Sequence, residues 1–546
     1  MQTPGGVAVR SGAGRFVARL QLTLLLLVTG TGALAADEFR SPSLSVVRVD
    51  WRAALDQLRA EISTQPSVAP AFTFAGRHRL ASFDPRSMPA LVQLNAMTSQ
   101  IFTGIGRSAV PVLLPLDTAA YLDARLSGTP ESLLLSRFQA DFRPADVFDA
   151  GPAGYDAAFS LEPGAGDGLP RRIFAKPVEV QITGSMLIYD INDAFASRGE
   201  PVKSLAAQFP DLRRFIREGY VRYAFTRFGV PYVVSIQCLD SAPRPRRLAC
   251  REAYPIAERF LRALRVAGGL PSRPRPEIAS ETVERPLAAS PDFTYRSPGD
   301  IIANSGSHKQ NGRADFTAYS QIQFPLKRTP AFIHSQSFRN RRSRDKPIDP
   351  LAGGNASYPW RDNFCEARSF NVGQCSSGFG HQGEDIRPAP CPPEADAGGC
   401  NPKQQTVVAA RDAVLIRAPK QQAATLQVNT RNEHIRFRYM HMNPVTMDAD
   451  GILSGRHVEE GQHIGVVSNY LDRPNGTTRH LHFDVQVFTR DGWLWVNPYV
   501  TLISAYERLI QGRGREIGPH SAPAASMAHA LPEDMSRRDL EEGGEN

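Results

Sequence analysis

Thr478-Arg479-His480-Leu481-His482-Phe483-Asp484-Val485 is the stretch whose reading decides the fold. An extended strand points every second side chain the same way. His480 and His482 therefore share one face, while Leu481, Phe483 and Val485 fall on the other. The result is a half-buried strand with an apolar back and two imidazoles in front, a pairing that suits a metal ion. On its own the pattern is equally that of a surface strand that happens to carry two histidines.

Three upstream pieces narrow that choice. Gly378-Phe379-Gly380-His381-Gln382-Gly383-Glu384-Asp385-Ile386 sets a histidine and a carboxylate four residues apart around a glycine. In the segment 434–442, Ile435, Phe437, Tyr439 and His441 alternate with polar or basic residues, so His441 is expected to end a second strand on its apolar face. A third strand is expected over 458–467, where Gly461 and Gly465 allow tight turning. Histidine, aspartate, histidine and a spare histidine pair make up the inventory of a mononuclear zinc site, in which three protein ligands leave a fourth position for water.

HxGxD, YxH, GxxIGxV and HLHF, in that order over residues 365–500, resemble the lysostaphin/LytM-type zinc metallopeptidases, enzymes that cut peptide bonds in bacterial peptidoglycan. The resemblance implies one zinc ion held by His381, Asp385 and His482, with His441 and His480 as non-ligand catalytic histidines. The division of roles within the H-x-H pair comes from the family alone. For that part of the chain it also implies a mainly antiparallel-β metallopeptidase domain with an open groove, and with the N-terminal mixed α/β region read before it the expected fold class is an α+β multidomain chain.

The bulk properties agree with an exported globular protein. The 546 residues, 42% hydrophobic and 22% charged, suffice for two or three domains. Of the formal charge of +8, Arg10, Arg15 and Arg19 supply three, leaving +5 on the rest, a mild excess that is no nucleic-acid signature. Residues 1–35 read as a signal peptide: a basic start, an apolar run from Leu20 to Val28, then Ala33-Leu34-Ala35 as a cleavage site. An uncleaved anchor is the rival reading of that segment. No other run approaches the roughly 20 apolar residues that span a bilayer. The six cysteines fall in close pairs, Cys238 with Cys250, Cys365 with Cys375 and Cys391 with Cys400, and neighbour disulfides suit an oxidising compartment, periplasmic or extracellular.

Residues 36–268 are expected to form a first domain, with helices over 47–62 and 202–217, the second broken at Pro210, and β runs over 110–117, 178–189 and 230–236. No nucleotide loop, nucleophile elbow or metal cluster stands out there, and His78 has no partner nearby in sequence. A proline-rich linker over 269–291 leads to a second domain over 292–510. The basic run Phe338-Arg339-Asn340-Arg341-Arg342-Ser343-Arg344 reads as a solvated loop or as a contact for anionic polymer. The tail 511–546 lacks periodicity and is expected to be disordered.

In such a site zinc polarises the scissile carbonyl and lowers the pKa of its water, while His441 and His480 move protons or stabilise an oxyanion. Glu384 falls on the other side of its strand from Asp385 and is expected to face solvent. Two departures from the family pattern bear on substrate choice: an insertion between Asp385 and the strand 405–410 that carries Cys391 and Cys400, and a long route over 468–475 into the H-x-H strand. His308, His334, His434, His457 and His463 match no motif position, and His434 has the opposite strand parity from His441. The function implied is a secreted zinc endopeptidase acting on peptidoglycan peptides, with no nucleic-acid partner. Rival readings are a non-catalytic wall-binding or amidase-activating module, and a wall protein whose metal only stabilises the fold. Residues 37–270, without chemistry of their own, are expected to cover the groove or to hold a wall or regulatory partner beside it.

Overall fold

Two antiparallel sheets, each closed over its own apolar core, carry the chain. This computed structural model describes residues 39–63, 87–126, 140–161, 178–193, 196–238, 248–271, 282–283, 285–286, 291–302, 311–334, 359–388, 405–477 and 479–517. The expected signal peptide, His78, His308, the basic run 338–344, Cys391 and Cys400 lie outside them. No helix among the described residues is long and apolar enough to cross a membrane.

The first sheet comprises β1 (Phe142–Ala150), β2 (Gly154–Leu161), β3 (Val178–Ser185), β4 (Glu200–Pro201), β5 (Arg213–Arg217), β6 (Tyr220–Arg227) and β7 (Val230–Gln237), in the spatial order β1-β2-β3-β7-β6-β5-β4. Local chemistry fixes its two tightest turns. Arg217 pairs with Tyr220 and Arg227 with Val230, so two residues make each loop. Glu218-Gly219 and Phe228-Gly229 all have φ between +53° and +76°, the left-handed pair that a right-twisted two-residue hairpin requires. One face is covered by the helix Cys250–Ala263, whose Phe260 meets Phe142 edge-on at 5.0 Å, and the Cys238–Cys250 disulfide ties this helix to the end of β7.

The helix expected over 202–217 does not form. Lys203–Leu205 is a single 3-10 turn, and Arg213–Arg217 pairs with β6 instead. Pro210 cannot donate within a helix, and the hairpin turn that follows offers the backbone of 213–217 a cross-strand partner. The first expected helix is observed as Trp51–Ser63.

The second sheet comprises β8 (Ala331–Ile333), β9 (Glu384–Pro388), β10 (Ala413–Ile416), β11 (Ala424–Asn429), β12 (His434–Met440), β13 (His457–Val458), β14 (Leu481–Thr489) and β15 (Gly492–Val496). Their order is β8-β9-β14-β12-β11-β10-β13, with β15 paired to β14. Leu481, Phe483, Val485 and Val487 of β14 and Ile435, Phe437 and Tyr439 of β12 are fully buried in the second core. Burying such side chains contributes about 1.5–3 kcal/mol each. The alternation read from sequence thus holds, and it leaves His482, Asp484, Arg436 and Arg438 on the opposite, front face.

Several segments bind the ends of the chain to this second core. Phe39 and Tyr189 pack in it, so the chain crosses between the cores well before residue 268. Within the expected linker, Thr282–Val283 pairs with Phe39–Arg40, and Arg285 makes a buried ion pair with Glu507 at 2.6 Å. The tail is not disordered from its start: Gln511 ends the helix Tyr499–Ile510 in a left-handed conformation, and Arg513–Ile517 pairs in parallel with Pro291–Arg296. That partner lies more than two hundred residues away, where periodicity along the tail cannot reveal it. Residues 518–546 lie outside the described residues.

Candidate metal centre

Cross-strand register assembles the centre. Asp385 on β9 is directly opposite His482 on β14, and His482 is opposite Met440 on β12. His381 precedes β9 by one tight loop, which the Cys365–Cys375 disulfide braces: the Cys365 amide donates to the His381 carbonyl at 2.9 Å. His480 sits just before β14, bridged to Ser468. All five residues singled out in the sequence come together, and each is 0–4% exposed.

His381 Nε2 lies 3.0 Å from His482 Nδ1, and each lies 3.5 Å from Asp385 Oδ1. For a tetrahedral zinc ion with ligand distances of about 2.0–2.1 Å, neighbouring donors are about 3.3–3.4 Å apart. The triangle therefore has the size of one face of such a site. The donor orientations agree. His381 Nδ1 donates to the Asn363 carbonyl at 3.0 Å, while His482 Nε2 lies 3.3 Å from Asp484 Oδ2, an ion-pair contact that falls short of a hydrogen bond but turns this nitrogen toward the carboxylate. The tautomers inferred from those partners turn lone pairs toward each other at the centre. Two lone pairs at 3.0 Å repel unless a proton or a metal cation lies between them.

Asp385 asks for the same thing. It is fully buried, its carboxylate oxygens lack hydrogen-bond partners among the described residues, and its Oδ1 has three imidazole nitrogens at 3.3–3.5 Å. A bare buried carboxylate costs several kcal/mol of lost hydration. Burial raises its pKa, but the imidazoles of His480, His381 and His482 outweigh this and hold it well below the usual range. Burial pulls His482 down, and the carboxylates of Asp385 and Asp484 more than reverse it, so its pKa is raised. His381 is driven down to about 3, first by burial. The residues present fit a zinc ion.

His441 is a correction to strand parity. Alternation places it behind the sheet with Tyr439, yet it adopts φ +67°, and its ring turns to the front, 4.6 Å from that of His480 and 6.1 Å from that of His482. A left-handed non-glycine residue costs roughly 1–2 kcal/mol, and such strain gathers at functional sites. Its Nδ1 faces the Tyr470 carbonyl at 3.1 Å and Gln422 Oε1 at 3.2 Å, and burial lowers its pKa to about 4. It is thus a neutral imidazole whose Nε2 is the basic nitrogen. The Tyr470 contact comes from the long 468–475 route.

Glu384 does not face solvent. It does lie on the other side of β9 from Asp385, but that side is the interior: it is fully buried and accepts from the amides of Asn363 and Phe364 at 3.2 Å. Burial beside Asp362 raises its pKa well above normal. It braces the loop whose Asn363 carbonyl orients His381.

Sequence reasoning also missed the supports of His482. Asp484 follows it by two residues, on the same face, and is held in turn by Arg438 Nε at 2.7 Å and Trp495 Nε1 at 3.2 Å. A carboxylate behind a ligating imidazole fixes its tautomer and raises its basicity. The signal was present as H-x-D within the opening motif. Arg438 is its direct cross-strand partner, which only the register supplies. His334, which matched no motif, donates its amide to the Asp385 carbonyl at 3.3 Å, and burial lowers its imidazole to about 3.

The first region packs on this same front face. Phe488 and Trp493 meet Ile188, Ala224 and Val233, and Trp493 Nε1 donates to Thr183 Oγ1 at 3.0 Å. His434 reaches across to Asp156 at 2.7 Å and Ser185 at 2.8 Å, and Arg436 to Asp156 at 2.9 Å. The Glu218 carboxylate accepts from the Gly373 amide at 3.1 Å, in the loop before His381.

Compared with known proteins, the chain matches no family model and no curated protein. Two solved structures match in part. One is described as a LytM glycyl-glycine endopeptidase from Ruminococcus gnavus: 16% identity over 36% of this chain and 62% of that one, TM-score 0.20. The other is Csd3 of Helicobacter pylori: 13% identity over 53% of this chain and 69% of that one, TM-score 0.17. This chain thus spans less than two thirds of the first neighbour's length. At such identities and scores the likeness carries no argument, and the reading of the centre rests on its geometry.

Proposed function

We propose that the chain is an exported zinc metalloendopeptidase of the lysostaphin/LytM type that hydrolyses peptide bonds in peptidoglycan, as the motif order implies. The single observation that carries the reading is the convergence of His381 Nε2, Asp385 Oδ1 and His482 Nδ1, within 4.8 Å of one another, beside two further histidines. When bound there, zinc supplies Lewis acidity toward a peptide carbonyl and acidifies a water molecule. His381 and His482 hold the metal through the nitrogens left basic by Asn363 and Asp484, and Asp385 offsets part of its charge. His441, neutral and oriented by Tyr470 and Gln422, is the proton acceptor, and His480 beside it stabilises charge on the carbonyl oxygen. Two neighbour disulfides among the described residues favour export to an oxidising compartment.

Metal analysis and digestion of crosslinked muropeptides, with products identified by mass, test this reading. Retention of stoichiometric zinc by a His381→Ala, Asp385→Ala, His482→Ala triple variant removes it. One observation favours a second reading: all five side chains are buried, as expected of a non-catalytic module that keeps the fold, or of an enzyme at rest under its own first region. Full-length protein that binds zinc stoichiometrically yet never digests wall material, even with the seam between the regions loosened, selects the non-catalytic module.

A further inference from the structure

The hairpin turn between β5 and β6 of the first region reaches the loop that carries His381. Glu218 opens that turn with φ +53°. Two-residue turns of this hand favour asparagine, aspartate or glycine there, so the turn by itself does not call for glutamate. The Glu218 side chain is fully buried. One carboxylate oxygen accepts from the Gly373 amide at 3.1 Å and the other from Arg222 Nη2 at 3.1 Å. Both bonds are charge-assisted, the stronger kind. Arg222 is held in turn, its Nη1 donating at 3.4 Å to the Asp491 carbonyl in the turn between β14 and β15. Arg217, the residue before Glu218, pairs with Asp193 at 2.5 Å, and its guanidinium lies so close to Gly373 that a Cβ there would overlap it. The first region thus grips this loop at one residue from two sides, with an anion on the amide and a cation against the α-carbon.

From Gly373 a short, closed path leads to His381. The disulfide joins Cys375 to Cys365, the Cys365 amide donates to the His381 carbonyl at 2.9 Å, and the His381 amide donates to the Glu366 carbonyl at 2.9 Å. Two further backbone bonds knit the loop, Val372 to Gly378 and Gly380 to Phe370, each at 2.9 Å. The second region holds the neighbouring Gln374 more loosely, through Asn497, Arg313 and Tyr319 at 3.2–3.4 Å. Metal ligands must be held to within about 0.5 Å of their productive geometry, and the groups behind them supply that precision. We propose that Glu218 is a positioning residue of the metal centre: by holding the Gly373 amide it sets the disulfide-tied loop from which His381 reaches the ion. The inference rests on His381 being a zinc ligand, as in the proposed function, and not on hydrolysis. It gives the first region a part in building the centre.

Zinc affinity by chelator competition and the visible spectrum of the Co²⁺-loaded protein, both on the full chain, test the proposal. Glu218→Ala and Glu218→Gln both take the charge from Arg222, but the second still offers an oxygen to the Gly373 amide. General damage to the seam is common to the two, so their difference reads the clamp. Glu218→Ala should weaken zinc binding by about tenfold or more and shift the Co²⁺ bands, while Glu218→Gln should stay within about threefold of the wild type. Gly373→Ala presses on Arg217 from the loop side and leaves Glu218 and Arg222 in place. It should weaken zinc binding in the same direction, and it carries the test if Glu218→Ala does not fold. Asp156→Ala, which loosens the seam at contacts that do not include this loop, should leave zinc affinity and spectrum unchanged. The proposal is overturned if Glu218→Ala and Gly373→Ala bind zinc as the wild type does, if Glu218→Ala and Glu218→Gln lose affinity equally, or if Asp156→Ala shows the same loss. A wild-type chain that takes up no zinc removes the ligand reading, and this inference with it. Stoichiometric zinc with the expected variant effects, in a protein that never digests wall material, supports the positioning role and removes only the proposed hydrolysis.

Discussion

Two of the buried aspartates that face histidines on the front of the second sheet, Asp156 and Asp385, differ in closure. At the seam between the regions, Asp156 is fully matched: His434 at 2.7 Å and Arg436 at 2.9 Å on its oxygens, with Thr183 at 2.5 Å. Burial pushes its carboxyl up, and His434 and Arg436 outweigh that and lower it. At the centre, Asp385 has three imidazole nitrogens at 3.3–3.5 Å and no hydrogen bond among the described residues. The first set closes on itself at hydrogen-bonding distance. The second is spaced for something between its members. The residue types are alike, so it is separation and lone-pair direction, not composition, that distinguish a structural lock from a metal cage.

The comparison breaks most directly at the cage. His482→Ala should abolish stoichiometric zinc and with it all measurable hydrolysis, whereas His434→Ala at the lock should leave zinc content unchanged; elemental analysis of both decides. Next in size, His441→Ala and His480→Ala should keep zinc and lose about 10²- to 10⁴-fold in muropeptide hydrolysis. A variant that turns over at the wild-type rate has been given the wrong role. At the lock, Asp156→Ala leaves His434 and Arg436 buried without their carboxylate and should destabilise the fold by about 3–5 kcal/mol, read by denaturant unfolding. The loosened seam is also the way to ask whether the first region covers the centre. A fragment starting near Pro291 would lose Phe39, Tyr189 and Arg285 from the second core, so faster digestion by seam variants of the full chain is the cleaner sign of cover.

Two smaller effects sharpen the contrast. Asp484→Asn removes the carboxylate behind His482 and should weaken zinc binding by about 10- to 100-fold, measured by chelator competition. The last is a pH effect on zinc itself. In the metal-free protein the His482 pKa is raised, above the ordinary value of about 6.5. Above that raised pKa the nitrogen is free for metal; as pH falls through it, a proton competes, and zinc affinity should drop by about tenfold per unit. Asp484→Asn should move this titration downward, since it removes one of the carboxylates that raise it. A zinc affinity flat across neutral pH would place the proton elsewhere.

Much of the centre was legible because its signals are local. Alternation in 480–485 needs only the period of a strand, and it put His480 and His482 together with an apolar back, as found. The spacing of His381 and Asp385 fits one tight loop entering one strand. What failed did so where a distant partner intervened. His441 has the wrong parity until its left-handed backbone turns it forward. Glu384 reads as a solvated acid until the Asn363 and Phe364 amides fill its site. The 202–217 helix and the unstructured tail both gave way to strands whose partners local periodicity did not show.

The sequence by itself determined which residues carry chemistry and on which side of their strands most of them stand, because side-chain alternation is a property of the backbone within a few residues. Only the tertiary structure decided that Arg438 braces Asp484 and that the first region packs against Phe488 and Trp493 on the front face. Those contacts join residues tens to hundreds of positions apart. Their existence depends on register and on the packing of one sheet against another, quantities that no periodicity along a single strand contains.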